Sequence, residues 1–81
     1  MEISEKELIG KTVMSEKGFP VGVIKKYLMD NISGELESIL VEPSKEINSQ
    51  EYKLNKQGDI ILPLGCLSPV KDVVIMEEAL L

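Results

Sequence analysis

The stretch from Gly10 to Pro43 constrains the fold more than any other part of the chain, because its apolar strands are punctuated by glycines at Gly18, Gly22 and Gly34. It reads as a tight hairpin, a long bent strand and a second hairpin, which is the pattern of a small β-barrel. Lys11-Thr12-Val13-Met14 forms a first strand ending at Ser15-Glu16-Lys17-Gly18, where glycine supplies the positive φ of a turn. Pro20, tolerated at the first residue of a strand, opens a second one through Val21, Val23, Ile24, Tyr27, Leu28 and Met29. Gly22 marks a bulge or a point where another strand or chain approaches closely.

Asp30-Asn31-Ile32-Ser33-Gly34 is a turn, since Asp and Asn bond their own backbone and Gly34 takes the left-handed conformation. It is not a calcium loop: an EF-hand needs glycine sixth and glutamate twelfth between helices, and here glycine arrives fifth between strands. The third strand, Glu35 to Glu42, alternates Leu36, Ser38 and Leu40 with Glu37, Ile39 and Val41, so both faces become apolar toward its end. One face fills the barrel. The other is expected to meet a helix, the tail or another subunit.

After Pro43 the polar segment Ser44 to Asp59 reads either as a helix across the barrel or as a long loop with a short strand. Ile60-Ile61-Leu62 is the fourth strand, limited by Pro63, and Leu64 to Pro69 is expected to be a tight crossover. Val73-Val74-Ile75-Met76 is continuous enough to be buried on both sides. Glu77 to Leu81 is too short for a stable helix, leaving Leu80 and Leu81 to dock on the barrel, to dock on a partner or to fray. At the other end, Ser4 and Glu7 have the spacing of a capping box that opens a helical turn into Leu8 and Ile9.

The 81 residues make one domain, with a barrel core at about 10–76, a short N-terminal helical turn and a C-terminal tail. A core this small gains from self-association. The net charge of −5 repels phosphate backbones, and Lys25-Lys26 is the only adjacent basic pair, so nucleic acid is not an expected partner. No apolar run approaches the ~20 residues that cross a bilayer, and Met1-Glu2-Ile3-Ser4-Glu5 lacks a signal peptide's pattern, so the chain is expected to be cytoplasmic without membrane insertion.

Cys66, the one cysteine, stands in an apolar context, and the chain has no histidine that would activate it. With no paired carboxylates on a shared scaffold either, the expectation is a non-enzyme with no catalytic residues, no metal and no cofactor.

The order Gly10-Lys11-Thr12-Val13, Gly18, Gly22-Val23-Ile24, Asp30 with Gly34, Ile39-Leu40-Val41, Ile61-Leu62-Pro63 and Asp72-Val73-Val74-Ile75 resembles the PRC-barrel family from about Gly10 to Met76. It departs from many members at Lys25-Lys26, where they carry an acidic residue. The resemblance implies an all-β barrel of about five to six strands with a short helical element, often self-paired. Relatives occur as the cytoplasmic part of a photosynthetic reaction-centre subunit, as the C-terminal domain of a ribosome maturation factor and as free-standing archaeal proteins. The free-standing type resembles adaptors of archaeal cell division that bridge the membrane anchor of the tubulin-like ring.

The expected function is therefore a non-catalytic protein-protein interaction module, homodimeric or paired with a related PRC-barrel protein, in archaeal cell division, with the division-ring membrane anchor as a further partner. The alternative is an accessory protein of ribosome assembly or RNA processing, which requires a basic patch at Lys25, Lys26, Lys53 and Lys56. The residues assigned to the dimer or partner surface are Ile39, Val41, Val74 and Met76, with packing inside the barrel as the open alternative for each.

Overall fold

A computed structural model describes residues 8–81, so the capping box at Ser4 and Glu7 lies outside the described residues. Six strands follow in chain order: β1 (Thr12–Ser15), β2 (Pro20–Met29), β3 (Leu36–Pro43), β4 (Ile60–Pro63), β5 (Leu67–Val70) and β6 (Val73–Met76). They form one sheet ordered β4-β3-β2-β1-β6-β5, antiparallel at every junction except β1 with β6, which run parallel. Among the described residues the 3-10 turns are Ser49–Glu51, Leu64–Cys66 and Glu78–Leu80. The small all-β barrel read from the glycine pattern is the observed fold.

The turns work as their residues dictate. Gly18 has φ +92 in the β1–β2 turn. In the β2–β3 turn the Asp30 carboxylate accepts from the N–H groups of Ile32 at 2.7 Å and Ser33 at 2.8 Å, and Gly34 follows at φ +75.

The sheet curls because its ladders are interrupted. Val13 faces Gly22 but Met14 faces Pro20, leaving Val21 extra; Ile24 faces Val41 but Lys26 faces Leu40, leaving Lys25 extra. A third shift skips Glu37 on β3. Each added residue bends the ladder and increases its twist. The bulge at Lys25 also resolves a phase problem: Ile24 and Tyr27 both point inward while the two lysines between them both face water.

Inside the curl, Leu8, Val13, Val21, Ile24, Tyr27, Ile39, Val41, Ile60, Leu62, Cys66, Leu67, Val74 and Met76 form one core cluster. Phe19, Ile47, Tyr52 and Leu54 pack against it from the loops. Every buried side-chain nitrogen or oxygen among the described residues has a hydrogen-bond partner.

The structure settles one choice the sequence left open and makes three corrections. Ser44 to Asp59 is a loop with a 3-10 turn and an isolated bridge from Leu54 to Ile60, the second of the two conformations considered. Leu64 to Pro69 is not simply a crossover, because its last residues begin β5. Pro69 is tolerated there because β5 is an edge strand. β6 is not buried on both sides: Val74 and Met76 are interior, whereas Val73 and Ile75 are only partly covered on the outer side. Finally, on the outward side of β3 Leu40 lies beside Lys25, Lys26 and the turn from Asn55 to Asp59 rather than against a helix or the tail.

Candidate interaction surface

Ile39, Val41, Val74 and Met76 all have 0% exposure, so of the two readings open for them the structure shows packing inside the barrel rather than an exposed surface. The choice is one of parity. In a strand successive side chains alternate between faces, so the partners of an interior Val74 and Met76 on the outside are Val73 and Ile75. Ile39 and Val41 belong to the barrel interior with Ile60 and Leu62 opposite them.

Cross-strand register assembles the true outer face. Val70 faces Val73, Val73 faces Thr12, and Thr12 faces Val23, which makes one row across β5, β6, β1 and β2. Beside it, Ser68 faces Ile75, Ile75 faces Met14, and Met14 faces Pro20. Val70 and Val23, at the ends of the first row, are 49% and 40% exposed. Among the described residues, none of these joins the core cluster or packs against it. The first row continues from Val23 to Glu42 on β3, and its other end adjoins Lys71 in the β5–β6 turn.

The sheet edges are closed to lateral pairing. On β4 the Ile61 N–H already donates to the Lys53 carbonyl at 2.8 Å, and the next outward position is Pro63, which has no N–H. On β5 the Leu67 N–H donates to the Leu64 carbonyl. Val70 and Val73 flank a two-residue turn and so form a hydrogen-bonded pair, which turns the imide nitrogen of Pro69 outward as well. Neither edge strand keeps a backbone donor for another strand, and this is how natural sheets resist edge-to-edge association.

A concave groove runs along the outer edge of β4. It has a volume of about 380 Å³, with Ile61, Leu62 and Pro63 along the strand, Tyr52 and Leu81 beside them, and Glu37, Glu51 and Lys53 as its charged members. Burial, then the charges of Glu78 and Glu51, push the Tyr52 phenol above its ordinary pKa. The 3-10 turn before Leu81 is tied to the β1–β2 turn by the Glu78 N–H, which donates to the Glu16 carboxylate at 2.7 Å. The tail is thus held to the barrel, although Leu80 and Leu81 stay more than half exposed.

The groups considered for chemistry are occupied or enclosed. Lys25 reaches the Asp59 carboxylate at 3.1 Å, so the basic pair singled out in the sequence is half neutralised. Cys66 is fully buried, and burial raises its thiol pKa. Among the described residues no group of three or more His, Cys, Asp or Glu is placed to hold a metal, and no helix is long and apolar enough to cross a membrane.

No curated protein matches the chain in sequence. The family model described as the PRC-barrel domain matches residues 1–79, in agreement with the curled six-strand sheet and its glycine turns. The chain belongs to the PRC-barrel family.

Proposed function

We propose that this chain is a non-catalytic protein-protein interaction module that pairs with a second copy of itself through the outer face of β5, β6, β1 and β2. The observation that carries the reading is the pair of adjacent, mostly apolar rows that no core residue among the described residues covers. With the edges closed, association proceeds face to face. A second copy suits this face because the row through Val73 and Thr12 ends at Glu42 on one side and beside Lys71 on the other. A two-fold axis through its middle sets each glutamate against the partner copy's lysine end, as a self-complementary patch requires. Two rows of four residues are fewer than the roughly 20 per side of a standard interface, so the dimer is dissociable rather than obligate.

Sedimentation velocity over a wide concentration range tests this. The wild-type chain is expected to self-associate with concentration, Val73→Lys to remain a folded monomer, and Ile32→Lys, at a site 98% exposed on the opposite turn, to behave as wild type. A wild-type chain that stays monomeric throughout, or a Val73→Lys chain that dimerises equally well, overturns the reading.

The more specific form of the proposal is an adaptor in archaeal cell division, supported by the resemblance of the glycine and apolar order to that group. Its test is direct binding between the purified chain and the membrane anchor of the division ring. The ribosome-assembly alternative is disfavoured by the Lys25–Asp59 ion pair, which removes a charge from the basic patch it requires.

A further inference from the structure

We propose that the groove along the outer edge of β4 is a docking site for a partner peptide that inserts one apolar side chain and carries lysine or arginine on either side of it. This site is separate from the outer face and does not depend on self-association.

The groove has the composition of a recognition site. Ile61 and Pro63 give it an apolar side, and its volume of about 380 Å³ falls within the range of pockets that enclose ligands. Tyr52 offers an aromatic wall that packs against the core on one side, so it is anchored rather than loose. An aromatic face next to carboxylates favours a cation, and guanidinium or ammonium groups stack on it.

Charge selects the occupant. Glu37 and Glu51 line the groove against one ammonium, Lys53. Glu78 adds a third carboxylate near Tyr52, only weakly engaged by Lys17 at 4.0 Å. A basic segment is attracted to this rim. A second copy of this chain, with a net charge of −5, is not.

Recognition here rests on side chains. Pro63 and the Ile61–Lys53 bond leave β4 with no outward donor, so a peptide cannot add itself as a further strand. It must be held by an anchor residue in the groove and by its flanking charges.

The test uses three fluorescein-labelled nine-residue peptides in a glycine-serine background: leucine flanked by arginines, leucine flanked by glutamates, and serine flanked by arginines. Binding is read by fluorescence polarisation and by amide chemical shifts of the full chain. The leucine-arginine peptide is expected to bind best, to weaken with salt and to shift the amides of Tyr52, Ile61 and Leu62. The Glu37→Gln, Glu51→Gln double variant, folded by its amide spectrum, is expected to lose about five- to tenfold in affinity. Val73→Lys is expected to bind the peptide as wild type does, which separates this site from the outer face. Equal binding of the arginine and glutamate peptides, unchanged affinity in the double variant, or shifts confined to Val73 and Ile75 would overturn the proposal.

Discussion

The Ile61 N–H donates to the Lys53 carbonyl at 2.8 Å, and that bond occupies the last amide donor on the outer edge of β4, because the next outward residue is Pro63. Pro69 does the same for β5 at the opposite end of the sheet. Replacing both prolines by threonine restores one outward N–H per edge without disturbing the inward ladder. The double variant is expected to fold to the same sheet by circular dichroism and to aggregate faster, measured by light scattering and thioflavin fluorescence under agitation. Unchanged aggregation would show that the prolines do not guard the edges.

Gly22 is a position where any side chain collides. A Cβ there would overlap the Glu42 carbonyl oxygen and lie 2.7 Å from Val41 Cγ1, both on the paired strand β3. Gly22→Ala must push β2 and β3 apart, at a cost of about 3 kcal/mol. At Gly18 a Cβ meets nothing within 4 Å, so Gly18→Ala pays only for the left-handed backbone, about 1 to 2 kcal/mol. Urea unfolding of the two variants should rank them in that order, and the reverse ranking would refute the collision argument.

Lys25 and Asp59 test how much a half-buried ion pair contributes. The aspartate side chain is 10% exposed and the lysine 47%, and the turn around Asp59 is fixed by Asn55, whose side-chain oxygen accepts from the N–H groups of Gln57 and Asp59. Lys25→Met keeps the aliphatic stem beside Leu40 and removes only the charge. It is expected to cost about 1 kcal/mol, above most exposed pairs and below a fully buried one because water still reaches the lysine. A thermal melt of Lys25→Met, Asp59→Asn and the double variant gives the coupling. No coupling between the two sites would mean that the pair is incidental.

Much of this architecture was legible in the sequence. Pro20 and Met29 bound the long strand because a proline and an Asp-to-Gly turn leave little freedom there. The failures have specific physical sources. Val73 and Val74 are chemically identical, so composition cannot say which faces the interior; the register with β1 decides it, and that pairing joins the two ends of the chain in parallel. The same ambiguity sent Ile39 and Val41 to the surface. β5 was hidden because Pro69 suppresses a strand signal except at an edge, and edges are a property of the whole sheet. The groove along β4 was invisible because Tyr52, Pro63 and Leu81 meet only after the loop folds back.

Asp30 gives the β2–β3 turn a pH dependence of known sign. Hydrogen bonds from the Ser33 and Ile32 N–H groups hold its carboxyl below the ordinary value of 3.8. Because the folded pKa is depressed, the stabilisation is present above 3.8 and is lost as pH falls through the lowered value. A titration followed by NMR should show the Ile32 and Ser33 amide shifts moving together with the Asp30 carboxyl, at a pH below the ordinary value of 3.8. Movement at or above that value, or amide shifts that do not follow the carboxyl, would contradict it.

Cys66 carries the opposite sign. Burial first, and the nearby Glu77 charge after it, raise the thiol above its ordinary value of 9.0, although a backbone hydrogen bond acts against them. The folded state therefore keeps its proton where the unfolded chain releases it. The contribution to stability is complete below 9.0 and is lost as pH climbs through the raised value. Enclosure also blocks reagents, since the residue has no exposed surface. Native protein is expected to leave a disulfide reagent unreacted at mildly alkaline pH, and urea beyond the unfolding midpoint to release one thiol per chain. Cys66→Ala should flatten the alkaline fall in stability while costing about 1 kcal/mol for the lost sulfur contacts. Rapid labelling of the folded protein would mean that the thiol is reached without opening the barrel.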